Sequence, residues 1–528
     1  MLRHCGGSQS AAPTRAEADD SSLPRAIALA QELQARGLVQ ELLPRRFAKA
    51  LPLRREANVG LLAFENELRI PPLLEPRRDA RGRAVFDLGL RTGKSRLLPG
   101  KTTRTWGVNG SYLGPTLRAS RAERVRINVT NNLPEPTTMH WHGMHVPAVA
   151  DGGPHQVIER GSTWSPSWSI EQPAATLWYH PHPHGKTADH VYRGVAGMFI
   201  LDDPETPRLP LPTTYGVDDV PLIIQDKRFR GDGSLDFSQP LVSPTGRLGN
   251  RILVNGTYDP HLDVRHQRIR FRLLNASGAR VYNLGFADNR LFELIATDGG
   301  LLETPQRLTR IQLSPGERAE IVAGFRPGER VVLRSFRPEL GTNFVLDRLT
   351  GGDDAFDLVQ IRAAAALTDS PEVPDLLAPH IHLHPEDTTQ TRHFELSDNM
   401  EINGKQMEMG RIDEVVTAGA TEIWEVHNPS PLPHNFHVHD VRFRIVEYVG
   451  EAPPPHLRGL KDTVYVPPTS RLRFVVRFGT YADPDTPYMF HCHLLRHEDQ
   501  GMMGQFVVTR PGQEPGWPSD AHQHDHGD

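Results

Sequence analysis

The stretch His491-Cys492-His493-Leu494-Leu495-Arg496-His497-Glu498-Asp499-Gln500-Gly501-Met502 decides how this chain is read. The chain has two cysteines, Cys5 and Cys492, and only Cys492 lies outside the polar N-terminal stretch. With His497 and Met502 it supplies thiolate, imidazole and thioether. That set suits a blue-copper electron-transfer site with a weak axial methionine. In an extended segment neighbouring side chains point to opposite faces. His491 and His493 therefore face away from Cys492, toward a second metal site. One tripeptide then joins an electron-accepting copper to a separate metal cluster.

Outward from this stretch, histidines gather in four places: His140/His142, His180/His182/His184, His434/His437/His439 and His491/His493/His497. A His-x-His pair on a strand puts both imidazoles on one face, suited to one metal or two adjacent ones. Any single pair reads as polar residues at a strand edge. Four clusters beside one Cys-His-Met set read as a metal enzyme, and the donor mixture favours copper over zinc. Two further clusters carry less. His380, His382 and His384 lie in a connecting stretch and read as a solvated edge. His522, His524 and His526 lie in a charged, disordered tail with at most opportunistic metal binding.

Hydrophobic periodicity is two through most of the chain. Val125, Ile127 and Val129 alternate with Arg124, Arg126 and Asn128, and Ile269, Phe271 and Leu273 alternate with arginines. Such strands, punctuated by 46 prolines and 45 glycines, indicate β-sandwiches. A coarse repeat runs through them. The strand ending at Asn131-Asn132 recurs as one ending at Asn275 and again as Thr421 to Asn428. Histidine motifs follow the first and third copies, but Tyr282-Asn283-Leu284-Gly285-Phe286 follows the second. Three related sandwiches are implied, with metals shared between the first and third and the middle one a spacer. The expected division is an extension over 1–54, domains over 55–205, 206–365 and 366–512, and a His-rich tail over 513–528. Residues 1–22 read as disordered. Ser22 as N-cap, Pro24, and Ile27, Ala30 and Leu33 at helical spacing predict a short helix ending at Gly37.

At 528 residues the chain exceeds one core. Its net charge of −5 and pI ≈ 6.6 give no footprint for nucleic acid. No apolar run approaches the roughly 18 residues of a membrane span, and no secretion signal is visible. Two cysteines exclude a disulfide framework.

The motifs HWHG (140–143), WYHPHPHG (178–185), HNFHVH (434–439) and HCHLLRHEDQGMM (491–503) resemble the four copper-binding motifs of three-domain multicopper oxidases, the laccase-like family. The similarity is strongest to the bacterial copper-efflux-oxidase branch. It extends through DDVPLIIQDKRF (Asp218 to Phe229) and DGGLL (Asp298 to Leu302), covering about residues 55 to 510. The resemblance implies an all-β fold of three consecutive cupredoxin-like Greek-key β-sandwich domains behind a short N-terminal helical extension. It implies four coppers per chain. His434, Cys492, His497 and Met502 would hold the mononuclear blue ion. His140 and His437 would hold the normal copper of a trinuclear cluster. His142, His180 and His493 on one side, and His182, His439 and His491 on the other, would hold its pair. His184 matches a histidine that is not a ligand, and His145 lies near the site.

The expected chemistry is one-electron oxidation of a small donor coupled to four-electron reduction of dioxygen to water. Cys492 carries the electrons, and Asp151 and Glu498 match carboxylates that resemble the family's proton relay. The copper-efflux branch carries a methionine-rich insertion. Here the segment from Ala363 to Asn399 has no methionine, although Met400, Met407 and Met409 follow it. The expected donors are therefore phenols or aromatic amines, reaching an open imidazole edge, with metal-ion oxidation second. Some relatives have lost copper and act as structural or cell-division proteins, but every ligand position is filled here. The resemblance also implies a monomer in the periplasm or outside the cell.

Overall fold

The computed structural model describes residues 56–238 and 243–516. The expected disordered and helical lead-in and the histidine tail lie outside these residues. The regular structure described is almost entirely strand, with three short α-helices at Thr187–Arg193, Phe344–Thr350 and Leu495–Asp499.

Three apolar cores organise the strands. The first is built from Phe86, Ile127, Val129, Trp141 and Phe199, between a sheet containing Ala84–Ser95 and Arg124–Asn132 and a sheet of Leu117–Ser120, Gly197–Asp202, Ala175–His180 and His140–His142. The middle core includes Leu222, Phe271, Phe286, Ile321 and Leu333. The third holds Phe394, Trp424, Phe436, Phe474 and Phe506, together with Cys492 and Met502. Burial along Arg124–Asn132 alternates residue by residue, as its period-two pattern predicts.

The repeat has a physical basis. Asn131, Asn275 and Asn428 end equivalent strands and are fully buried. Each accepts through Oδ1 from the backbone N–H two residues on: Leu133 at 2.9 Å, Ser277 at 3.0 Å and Ser430 at 3.0 Å. Each donates through Nδ2 to a carbonyl four or five residues on: Glu135, Arg280 and Leu432. A second Nδ2 bond reaches a distant segment, at Ile158, Leu313 and Pro467. One side chain thus satisfies a strand end, a turn and a neighbouring segment at once, which is what a buried amide needs.

Two expectations fail. The stretch 56–68, assigned by sequence to the first sandwich, runs along the middle one. Asn66–Glu67 pairs in parallel with Pro260–His266, and Leu68 joins the middle core. The middle sandwich is also more than a spacer. On Arg268–Asn275, Arg270 and Arg272, which alternate with apolar residues, are buried too. Arg272 binds Asp219 at 2.7 Å and Thr176 Oγ1 of the first sandwich at 2.7 Å, while both Arg270 and Arg272 pair with Glu320. An alternating pattern finds the strand but cannot tell water from a second buried surface.

Candidate metal centre

Strand pairing brings the histidines together. His140–His142 lies antiparallel to Ala175–His180, with His140 opposite His180. In the third sandwich His437 lies opposite His491. Eight imidazoles, from His140, His142, His180, His182, His437, His439, His491 and His493, converge with at most 1% exposure each. They form the groups His140/His142/His437, His142/His180/His493 and His182/His439/His491, with ligand-capable nitrogens within 4.8 Å of one another in each.

The nitrogens facing inward are spaced for a shared ion. His142 Nδ1 and His180 Nε2 are 3.3 Å apart, His182 and His491 Nε2 are 3.1 Å apart, and His439 and His491 Nε2 are 3.3 Å apart. Two imidazoles at about 2.0 Å from a tetrahedral ion separate their nitrogens by about 3.3 Å. The outward nitrogens of six of the eight are held by the protein. Nδ1–H donates to the Asp151 carbonyl from His140, to Pro181 from His180, to Asp462 from His437 and to Cys492 from His491. His439 Nδ1–H donates to Asp151 Oδ2 at 2.7 Å, and His142 Nε2–H to Asp462 Oδ1 at 3.1 Å. Such contacts fix the tautomer and leave the other lone pair for a metal. Burial, reinforced by neighbouring imidazoles, pushes His142, His180, His182, His437, His491 and His493 well below the usual histidine range. They are neutral, the state in which imidazole ligates. The inward Nε2 atoms of His140 and His437 and both nitrogens of His493 find no hydrogen-bond partner. Orphaned buried nitrogens call for an occupant, and metal ions fit them.

On the other face of the tripeptide, Cys492 Sγ lies 3.7 Å from His434 Nδ1 and 3.5 Å from His497 Nδ1. All three are fully buried, as is Met502. The Met502 backbone is tied at both ends, its N–H to His497 and its carbonyl to the Cys492 N–H. The short helix Leu495–Asp499 carries His497, whose Nε2–H donates to the Pro244 carbonyl at 2.9 Å. Burial pushes the Cys492 thiol up to about 12. A thiolate therefore forms here only as a metal displaces the proton.

Two carboxyls flank the imidazoles in opposite states. Asp151 is buried, but His439 and His140 overcome that penalty and hold it below the usual carboxylate range. Glu498 is pushed well above that range by burial and by neighbouring Asp499. Its oxygens lie 3.4 Å from His182 Nδ1 and 3.4 Å from His491 Nδ1, without a hydrogen bond. Environments that drive two carboxyls apart set up a proton acceptor and a proton donor.

Sequence reasoning missed the middle sandwich's share. Gly316, at φ +88, turns the chain against the cluster; a Cβ there would sit 3.1 Å from His493 Nδ1 and 3.2 Å from His142 Cε1. Two residues on, Arg318 is fully buried and binds all three sandwiches. It donates to the Thr176 carbonyl at 2.9 Å, to the Asp298 carbonyl at 3.1 Å, and through both Nη atoms to Asp462 at 2.7 and 2.6 Å. Asp462 in turn holds His142. Lys461, also buried, pairs with Asp298 at 2.9 Å and Glu317 at 3.0 Å. Burial lifts Asp298 to about 6 against the pull of Lys461 and Arg318. The available signal was DGGLL, which contains Asp298.

His184 is exposed and belongs to none of these groups, and His145 pairs with Asp440 at 2.7 Å. The open imidazole edge is not found. His434 and His497 are fully buried; the Pro244 carbonyl caps one, and Asp398 Oδ1 stands 3.7 Å from Nε2 of the other. The cover on His497 comes from the middle sandwich, 253 residues away in sequence.

Consecutive β-sandwiches that present a buried Cys-His-His group and a buried imidazole cluster on opposite faces of one tripeptide carry donor sets of the kind a cupredoxin-type copper protein uses. Sequence models described as multicopper oxidase match residues 90–206 and 377–512. The chain is 35% identical over 457 residues to the multicopper oxidase mco of Staphylococcus aureus, covering 86% of this chain and 95% of that one. It is also 35% identical over 469 residues to the cell division protein FtsP of Yersinia pestis, covering 88% and 95%. The solved structure of a bacterial laccase-like multi-copper oxidase CueO from Ochrobactrum sp., with oxidase activity towards lignin model compounds and lignosulfonate, superposes with a TM-score of 0.77 at 35% identity, covering 84% of this chain and 100% of that one. This chain belongs to the multicopper oxidase family. Among its described residues no helix is long and apolar enough to cross a membrane.

Proposed function

We propose that the chain is a laccase-type oxidase that takes electrons singly from phenolic or aromatic-amine donors and reduces dioxygen to water, outside the cytoplasm. The observation that carries this reading is the tripeptide itself, with Cys492 buried beside His434 and His497 while His491 and His493 join the imidazole cluster. His434, Cys492, His497 and Met502 would hold a mononuclear copper. His140 and His437 would hold one copper of a trinuclear cluster; His142, His180 and His493, and His182, His439 and His491, would hold the other two. Bound copper would supply one-electron acceptance at the first site and four-electron delivery to dioxygen at the second. Cys492 is the covalent bridge between them. Asp151 accepts the proton of His439 Nδ1 and stays charged, and Glu498 holds a proton within reach of His182 and His491. The complete ligand set speaks against a copper-free structural role, and the likeness to a cell division protein does not displace the oxidase reading.

The buried imidazole edges favour a second reading, metal-ion oxidation. Asp398, 35% exposed and 3.7 Å from His434, offers a carboxylate to a cuprous or ferrous ion where a bulky ring cannot touch the imidazole. The test is metal analysis and dioxygen uptake on purified enzyme, followed by dye oxidation with and without excess Cu(II). Four coppers per chain, dioxygen uptake and copper-independent dye turnover are expected. Strong dependence on added copper, with Cu(I) oxidised faster than any phenol, would move the assignment to the second reading; copper-free protein would end both.

Asp151→Asn keeps an oxygen for His439 but removes the titratable group. Reoxidation of the reduced enzyme by dioxygen should slow by about 10²-fold, the low end for loss of general acid–base help. Reduction of the blue copper should not change. Unaltered reoxidation would make Asp151 a structural residue alone.

A further inference from the structure

We infer that His380, His382 and His384 form an additional site for a divalent transition-metal ion, separate from the copper centre. The sequence reads these residues as a solvated edge, and His380 is indeed half exposed, at 50%. Unlike those of the copper-centre groups, their nitrogens are not all within 4.8 Å of one another, yet the three rings are close neighbours. The three rings face one another, with centroids 5.5 Å apart for His380 and His382, 5.6 Å for His380 and His384, and 6.3 Å for His382 and His384. The protein supplies its own ruler. The group His142/His180/His493 has ring separations of 5.5, 4.8 and 5.2 Å. Matched in order of size (5.5, 5.6 and 6.3 Å against 4.8, 5.2 and 5.5 Å), the outer triad is wider by 0.8 Å at most, a gap within reach of side-chain rotation.

The backbone beneath the triad is fixed. Leu377, upstream, is buried with Leu211, Ile295 and Val322 of the middle sandwich, and Leu383 is buried with Ile423 and Val475 of the third. Glu303 clamps the segment, accepting the Ile381 N–H through one oxygen at 2.9 Å and His380 Nδ1–H through the other at 2.9 Å. A carboxylate on the outer nitrogen of an imidazole fixes the tautomer and raises the basicity of the free nitrogen, the arrangement metal-ligating histidines use. His380 and His382 also line a cavity of about 700 Å³. That cavity leaves space for water at the remaining coordination positions. An all-imidazole, water-completed donor set suits Cu(II), Ni(II) and Zn(II), and does not suit Ca(II) or Mg(II), which require oxygen.

Titration of copper-loaded, full-length enzyme with Zn(II), followed by calorimetry, tests the site without reference to oxidase activity. Three proteins are compared: wild type, H380A/H382A/H384A, and H522A/H524A/H526A, the last removing the tail's competing imidazoles. Wild type and the tail variant should share one equivalent of bound zinc that the H380A/H382A/H384A protein lacks. Glu303→Gln should weaken that equivalent by about tenfold, the lower bound for loss of such a support. His382→Ala alone should also weaken it, and serves if the triple variant fails to fold. Zinc binding of equal stoichiometry and affinity in wild type and in the His380/His382/His384 variants, or its loss only with the tail histidines, would overturn the inference.

Discussion

Cys492→Ser should abolish the intense visible band and bring oxidation of one-electron donors to background, while the imidazole cluster keeps its metal. The expected ligands His434 and His497 remain, but a hydroxyl cannot replace the soft thiolate that binds copper and carries charge. Structural damage should be small. Serine is nearly isosteric, and Asn435 Oδ1, 3.5 Å from Sγ, stands ready to accept its hydroxyl. Copper per chain should therefore fall by about one ion, with little change in thermal midpoint. A variant that stays blue would show that the mononuclear site lies elsewhere. A variant that loses all its copper would show that the two sites assemble only together.

The largest expected loss of stability follows Arg318→Met. The guanidinium lies fully buried among Asp298, Asp462 and the Thr176 carbonyl. Removing it leaves Asp298, Asp462 and Glu317 with Lys461 as their buried cation. Breaking a buried pair from one side costs about 3–5 kcal/mol, because the other charge stays behind uncompensated. Asp462 also loses the partner that aims it at His142, so metal retention should fall alongside the denaturation midpoint. Arg318→Lys should recover part of the stability but less of the metal, since an ammonium lacks the planar fork that reaches both carboxylate oxygens. A methionine variant within about 0.5 kcal/mol of wild type, with full metal content, would place the network outside both roles.

The contrast between these residues explains what the sequence discloses. The convergence of His140 and His142 with His437, and of Cys492 with His434 and His497, was legible because metal chemistry uses such donor residues at set intervals. Asn131, Asn275 and Asn428 were legible because three strands end alike. Arg318 and Asp462 were not, since one charge in a turn and one after a lysine look like solvated surface. Arg270 and Arg272 show the same limit: alternation reports two faces of a strand and says nothing of what covers the polar one. Pro244 over His497 was invisible because tertiary folding alone brings a distant loop there. Features set by local chemistry could be read, and those set by the docking of one sandwich on another could not.

The three asparagine corners carry a consequence for descent. A fastening so specific, repeated at the same strand end in each sandwich, is what one unit copied in tandem would leave. The middle copy keeps the fastening without the histidine motif that follows the other two. Architecture and donor set are therefore separable: the middle sandwich keeps its fastening and its fold without the histidines.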